Sequence, residues 1–274
     1  MPASPLSSRR NPLVARFRAA ARDDRTVMLL DGEHLVAEAL DAGIALDTVA
    51  LVPDKVPASL GERLRQAVPE ERLVPVTASL MDAISPVHTP SGIVALASRP
   101  TTSLDTIFPS PALVVMAVEV QDPGNLGAIV RSAEAGGATG LLTTRGTADP
   151  FGWKALRGSM GSALRLPIAA VDSIGEAVAH ARNAGCRTLA TAGHGATSLY
   201  DIDLRQPVLV LLGREGQGLP EEALSAADER LRIPMQAPVE SLNVAVAAAL
   251  IVYEARRQRV HDGTRARRHD GGTS

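Results

Sequence analysis

A chain of 274 residues, 45% apolar and with a net charge of −2, is long enough for two domains and carries no global basic footprint. Aromatic residues make up only 2%, which argues against a nucleic-acid surface dominated by stacking platforms, and the single cysteine, Cys186, excludes an internal disulfide and a cysteine-cluster metal site. Neither a secretory signal nor a membrane-length apolar run is present, so a cytoplasmic location without membrane contact is expected.

Residues 1–24 are polar and rich in arginine and serine, and read as a flexible arm. Arg9, Arg10, Arg16, Arg18, Arg22 and Arg25 crowd this end; Arg256, Arg257, Arg259, Arg265, Arg267 and Arg268 crowd the other, where 259–274 reads as a basic disordered tail. Lysine occurs only at Lys55 and Lys154. The charge is therefore mostly guanidinium, whose planar fork suits phosphate; the plainer reading is two solvated tails. A strand over 26–30, a helix over 32–43 with Leu35, Val36 and Leu40 on one face, and a strand over 49–52 come next. A helix over 60–67, a strand over 73–76, a short helix over 79–84 and a strand over 93–97 complete an α/β domain spanning 25–98. His88, alone in a turn, reads as a surface residue and not a ligand.

The proline- and Ser/Thr-rich stretch 99–111 reads as a linker. From 112 to 258 apolar runs alternate with helical patterns, the mark of a parallel sheet with crossover helices. Strands are predicted at 113–118, 140–143, 167–171, 188–192 and 208–212. Helices are predicted at 125–135, capped by Asn125 and stopped by Gly136 and Gly137, mostly over 153–163, and at 174–184 and 220–227. The last stretch, 231–254, starts as a strand that Pro234 ends. Ser241 is placed to cap a helix in which every residue from 244 to 253 is apolar, so that helix must be buried on all sides.

Two loops stand at the carboxyl ends of buried strands, where ligands sit in open α/β sheets. The first, EVQDPGNLGAIVR at 119–131, holds Asn125 and then Arg131, a lone cation whose local partner would be Glu134 one turn on. The second, LLGREGQGLP at 211–220, has three glycines that permit a tight turn close to a ligand. It is neither a dinucleotide fingerprint after a first strand nor a phosphate loop with its lysine, so nicotinamide and nucleoside-triphosphate readings lose support. Glu215 in that turn suits a cationic or hydroxyl-bearing ligand better than a phosphate.

Three stretches together resemble the SpoU, or TrmH, family of RNA ribose 2′-O-methyltransferases, of the trefoil-knotted SPOUT class. The first family motif matches Asn125, Gly127 and Arg131; the second, Gly213, Glu215, Gly216 and Gly218; the third, Ile233, Pro234, Met235, Ser241, Leu242 and Asn243. The resemblance spans about 113–257. DGEHLVAEAL at 31–40 and TPSGIVALA at 89–97 are similar, more weakly, to the small ribosomal-protein-like substrate-binding domain that precedes it in this family. Arg214 departs from the pattern, which more often has a small or uncharged residue there.

The resemblance implies an α/β fold whose C-terminal parallel sheet is knotted, with the chain after 208 threaded through a loop. It implies S-adenosylmethionine as cofactor, held by Thr191, Ala192, Gly193, Leu212, Gly213, Gly218, Ile233, Met235 and Leu242, and no metal. Arg131 would bind the adjacent phosphate and stabilise developing alkoxide charge, since a guanidinium is a poor base. Asn125, Glu215, Ser241 and Asn243 would orient Arg131 and the substrate. Ribosomal RNA is the expected substrate, transfer RNA the alternative within the class, and a non-catalytic RNA-binding assembly factor the alternative outside it; DNA is not expected. A homodimer is expected through the helix over 242–256, which would present Val244, Ala248, Ile251 and Val252, with small residues Ala245, Ala247, Ala248 and Ala249 allowing close approach. In the family that dimer also brings the first-motif arginine near the partner's cofactor.

Overall fold

The computed structural model describes residues 5–22, 24–193 and 197–269, the last nine by backbone alone. Its first elements are α1 (Pro12–Arg22), β1 (Val27–Asp31), α2 (Glu33–Asp41), β2 (Leu46–Leu51), α3 (Ala58–Ala67), β3 (Leu73–Pro75), α4 (Ala78–Ile84) and β4 (Ile93–Ser98). Then come α5 (Leu104–Ile107), β5 (Leu113–Ala117), α6 (Pro123–Gly136), β6 (Gly140–Thr143), α7 (Trp153–Ser159), β7 (Ile168–Ala170) and α8 (Ile174–Asn183). The chain ends with β8 (Arg187–Thr191), β9 (Thr197–Ser198), β10 (Val208–Leu212), α9 (Glu221–Ala226), β11 (Glu229–Arg232) and α10 (Val244–His269). Two compact units result: Met1–Pro100 with Asp149–Arg165, and Thr101–Ala148 with Leu166–Ser274.

The first unit carries a four-stranded sheet in the order β1-β4-β2-β3. β4 runs antiparallel to both neighbours, and its first five residues are buried because it is interior to the sheet. Helix α1 overturns the reading of 1–24 as an unstructured arm. Val14 and Phe17, one turn apart, are buried against Leu80, Met81 and Ile84 of α4. The arginines on the outer side hide that period: Arg16 pairs with Asp47 at 2.5 Å, and Arg18 donates to the Ala83 carbonyl at 3.0 Å. Residues 1–4 lie outside the described residues.

Asp149–Arg165, which the sequence reading places within the second domain, clusters with the first unit. Arg99 donates to both Asp149 carboxylate oxygens, at 3.0 and 2.7 Å, and lies 5.9 Å from the Phe151 ring centre. Further along, α7 packs on β1, and Arg165 pairs with Glu38 of α2.

The second unit holds a seven-stranded sheet in the order β7-β6-β5-β10-β8-β11-β9, parallel at every pairing. β5 and β10, side by side in the middle, are buried at every position, as continuous apolar runs require. Helix α6 starts at Pro123 and not at Asn125. Asp122 is its cap, accepting from the Asn125 N–H at 2.7 Å, which leaves the Asn125 side chain free for other work. The helix stops at Gly137, whose φ of 85° suits glycine. α6 and α10 pack so closely that a Cβ on Gly136 would lie 2.2 Å from the Val252 side chain.

The cap of α10 is Asn243 and not Ser241: its Oδ1 accepts from the Ala245 and Val246 N–H groups at 2.9 and 3.3 Å. The expectation that this helix is buried all round fails on one side. Val244, Ala248, Ile251 and Val252, expected to face a second copy, belong to the unit's own interior, while Val246, Leu250 and Tyr253 are 48%, 39% and 51% exposed. The helix also continues to His269, where a disordered tail is expected from 259. Arg257 pairs with Glu254 at 2.7 Å. Arg259 donates to the carbonyls of Pro111, Ala112, Leu204 and Gln206, and burial lowers its pKa from the usual guanidinium value. The side chains of Arg265, Arg267 and Arg268, and all of 270–274, lie outside the described residues.

Candidate functional site

Four loops of the second unit meet beyond the carboxyl ends of β5, β8, β10 and β11. The loop after β10 is tight. A Cβ on Gly213 would sit 2.2 Å from the Gly218 carbonyl carbon, so no larger residue fits there. Arg214 and Gly218 exchange both backbone hydrogen bonds, at 3.2 and 3.0 Å, and close the turn.

This turn holds out Glu215, and three predicted residues converge on it. Asn125 Nδ2 and Asn243 Nδ2 both donate to Glu215 Oε1 at 2.7 Å, and Asn243 Nδ2 also reaches Asn125 Oδ1 at 3.0 Å. The triangle ties together segments separated by 90 and 118 residues. Asn243 can join it because its own Oδ1 is engaged on the helix amides. A second clasp lies beside the first. Arg214 pairs with Glu119 at 2.9 Å and donates to Gln217 at 2.6 Å, so the departure at 214 has local partners. Glu119 is held at φ 55°, unusual for a residue with a Cβ, and its N–H bonds to Thr144 Oγ1 at 3.0 Å. Neither Glu119 nor Gln217 was singled out from sequence; the only available signal was their place at the ends of buried strands.

A cavity of about 470 Å³ opens under this turn. All nine residues expected at the cofactor line it: Thr191, Ala192, Gly193, Leu212, Gly213, Gly218, Ile233, Met235 and Leu242. Glu215 and Ser241 line it too. Sequence reasoning did not name Arg230 and Glu240, which complete the charged part of its wall, or Leu219 and Leu224, which extend the apolar part. A second cavity of about 330 Å³ shares Arg214, Glu215 and Gln217 and adds Glu119, Gln121, Asp122 and Asn125.

Arg131 is the exception. It is exposed, lines neither cavity, and has no hydrogen bond or ion pair among the described residues, so Glu134 is not its partner. Six residues past Asn125 on one helix put it about 9 Å along the axis and roughly 240° around it. The structure therefore brings Asn125, Glu215 and Asn243 together, sets Ser241 in the cavity wall, and leaves Arg131 apart.

A parallel sheet with a glycine-turn cavity at its carboxyl-end loops defines a ligand-binding α/β fold. Residues 112–253 match the SpoU rRNA methylase family, and 16–95 match the MRM3-like substrate binding domain. An uncharacterised tRNA/rRNA methyltransferase of Synechocystis is 34% identical, covering 92% of this chain and 93% of that protein. The 23S rRNA (guanosine(2553)-2′-O)-methyltransferase RlmP of Bacillus subtilis is 31% identical, over 86% of this chain and 90% of its own. The crystal structure of the SpoU methyltransferase AviRb of Streptomyces viridochromogenes, in complex with AdoMet, superposes with a TM-score of 0.82 at 30% identity. That match covers 92% of this chain and 99% of AviRb. The chain belongs to the SpoU rRNA methylase family, as a ribose 2′-O-methyltransferase of the knotted SPOUT fold class that uses S-adenosylmethionine.

The cavity fits that cofactor. Its volume lies within the usual range for small-molecule sites, roughly 300–1,000 Å³. Two carboxylates (Glu215, Glu240) and two guanidiniums (Arg214, Arg230) suit a ligand carrying a sulfonium, an ammonium and a carboxylate. Leu212, Leu219, Leu231, Ile233 and Leu242 offer an apolar wall to a purine. Arg214 Nε is buried without a partner among the described residues, a donor still to be satisfied. No helix among the described residues is long and apolar enough to cross a membrane.

Proposed function

We propose that the protein methylates a ribose 2′-hydroxyl of ribosomal RNA in the cytoplasm, acting as a homodimer whose active site draws Arg131 from the partner subunit. The observation that carries the reading is the Asn125–Glu215–Asn243 triangle standing on the wall of the 470 Å³ cavity. Matches to rRNA methyltransferases that run over most of the chain, N-terminal unit included, favour ribosomal over transfer RNA.

Thr191, Ala192, Gly193, Leu212, Gly213, Gly218, Ile233, Met235 and Leu242 would hold S-adenosylmethionine, which supplies an electrophilic methyl group on a sulfonium. The chain's task is to aim a weak nucleophile and to shed its proton. Two amide donors saturate Glu215 Oε1 and fix the carboxylate, leaving Oε2 to accept the hydrogen bond of the ribose hydroxyl. Ser241 adds a hydroxyl from the same wall. Arg131 would grip the neighbouring phosphate and stabilise the alkoxide charge as it develops. Its distance from the triangle within one chain supports delivery from a second copy.

The exposed stripe Val246, Leu250 and Tyr253, at helical spacing on α10, supports an isologous contact between two copies. Arg131 lies on α6, the helix packed against α10, so it stands near such a contact. Basic residues at both termini, among them Arg9 and Arg10, would add phosphate contacts.

The test combines the pure protein, labelled S-adenosylmethionine and rRNA from a deletion strain. A single new 2′-O-methyl site is expected, absent from RNA of the deletion strain and present in wild-type RNA. Cofactor binding without transfer to rRNA, but with transfer to tRNA, would move the substrate; no cofactor binding at millimolar concentration would sink the enzymatic reading.

A further inference from the structure

The first unit contains a basin of its own. It encloses about 560 Å³ and is lined by Asp31, His34, Leu35, Trp153, Lys154, Arg157, Gly158 and Met160, all within that unit. Asp31 ends β1 and His34 lies in the first turn of α2, so the basin sits at the carboxyl end of a strand and the start of a helix. Gly32 at the start of α2 has no side chain to cap its amides.

Trp153 is the chain's one tryptophan. Its indole packs partly on the unit's core cluster and is otherwise open. Lys154 stands over the ring, its ammonium 5.5 Å from the ring centre. Lys154 and Arg157 are both exposed, and neither has an ion pair among the described residues. Met160 lies across the basin, 43% exposed and held at φ 51°. Its carbonyl is bridged to His34 Nε2 at 3.2 Å, which ties α2 to the end of α7. On the floor Asp31 accepts from Ser85 Oγ at 2.6 Å through one carboxylate oxygen, leaving the other for a second donor.

A partly exposed indole with Lys154 over it, a flexible apolar thioether, an exposed Arg157 whose charge acts on Asp31, and that carboxylate's remaining acceptor make a set that suits one ligand class. A nucleobase stacks on indole regardless of sequence, its N–H edge needs an acceptor, and its phosphates need cations. The acidic groups argue against a bare anion: Asp31 lines the basin, Glu33 lies in the first turn of α2, and Glu38 is engaged with Arg165. A peptide ligand would explain neither the paired cations nor the single flat platform.

We propose that this basin is a subsite for one unpaired nucleotide of the RNA substrate, its base stacked on Trp153 with an N–H donated to Asp31 and its phosphates held by Lys154 and Arg157. The stacking base replaces the cation over the ring, and the released ammonium moves to the backbone. The subsite rests on the RNA methyltransferase reading and adds that a base outside the reaction centre is read in single-stranded form.

The lone tryptophan supplies the test. Fluorescence of the full-length protein is titrated with a mixed-sequence single-stranded RNA, with the same strand annealed to its complement, and with rRNA, while anisotropy of labelled RNA reports binding independently. Quenching that saturates with single-stranded RNA and rRNA, but not with the duplex, is expected. Trp153→Leu keeps apolar contact with the core and should weaken RNA binding on the order of tenfold, with cofactor affinity unchanged. Lys154→Gln with Arg157→Gln keeps the reporter and should flatten the salt dependence of binding by about 1.4 in log–log slope. Binding by anisotropy with unchanged fluorescence, or full affinity in Trp153→Leu with native cofactor affinity, overturns the subsite while leaving methylation of rRNA intact. Loss of methylation of every RNA in the unmodified protein overturns the functional reading instead.

Discussion

The two units handle their polar groups in opposite ways. At the cofactor cavity nearly every functional side chain is tied to another: Asn125, Glu215 and Asn243 form a closed triangle, and Arg214 is clasped by Glu119 and Gln217. At the basin of the first unit the cations Lys154 and Arg157 have no ion pairs among the described residues, and Trp153 is partly exposed under Lys154. A site that must place a reacting hydroxyl within tenths of an ångström is preorganised by bonds within the protein. A surface that grips a flexible chain keeps its donors for the ligand. Arg131 follows the second pattern: it is exposed and apart from the triangle, and under the proposed dimer it would serve a partner's cavity.

The sharpest way to break the preorganised side is at Gly213. Gly213→Ala places a Cβ 2.2 Å from backbone that no rotamer change can move. The turn must open, Glu215 leaves the triangle, and cofactor binding should fall at least 100-fold by calorimetry. Retained affinity would mean that the turn is not the cofactor cradle.

Arg131→Ala tests the unpaired side of the same site. With no partner among the described residues to lose, the variant should fold and bind cofactor as the native protein does, while kcat falls on the order of 100- to 1,000-fold. Mixing it with Gly213→Ala subunits should restore up to about one active site per heterodimer if Arg131 acts across the dimer. A lowered melting temperature would make Arg131 structural.

A smaller effect is expected on the outer stripe of α10. Leu250→Glu puts a charge on a 39% exposed position, so the isolated subunit should tolerate it, whereas an isologous contact meets the charge from both copies. Sedimentation should move from dimer to monomer at micromolar concentration with little change in the far-ultraviolet spectrum. An unchanged dimer would place the contact elsewhere.

Much of this contrast was legible in the sequence, and unevenly so. The alternating apolar runs of the second unit located β5, β6, β8 and β10 because strands buried on both faces admit little else. The cavity lining followed from three spaced motifs. Side-chain direction was not legible. Asp122 and Asn125 can both cap, and only the helix start at Pro123 decides it; Ser241 and Asn243 posed the same ambiguity. The buried pair Val14 and Phe17 was masked by arginines that point outward, so composition suggested an arm where periodicity held a helix. The run from 244 to 253 said that α10 is apolar, but not which side of it its own unit leaves uncovered. Arg259 looked like part of a nucleic-acid arm and instead staples four carbonyls.

The smallest expected effect concerns the floor of the preorganised unit. Asp228 pins β11 to β8: its Oδ2 accepts from the Thr188 N–H and hydroxyl at 2.8 and 2.7 Å, and Arg182 reaches its other oxygen at 2.9 Å. Burial pushes the carboxyl up, but the hydrogen bonds from Thr188 and Arg182 outweigh it, and the net direction is down from 3.8. A group depressed in the folded state stabilises it at pH above the unfolded value, and that contribution fades as pH falls through the folded value. Asp228→Asn should therefore melt a few degrees below the native protein at pH 7. The gap should start to narrow as pH falls through 3.8, where the unfolded chain's carboxyl takes up a proton, and go on narrowing as pH passes the lower native value. A gap that stays constant from pH 7 to pH 3 would mean that the charge contributes nothing and that only the shape of the Asp228 cap holds β11 in place.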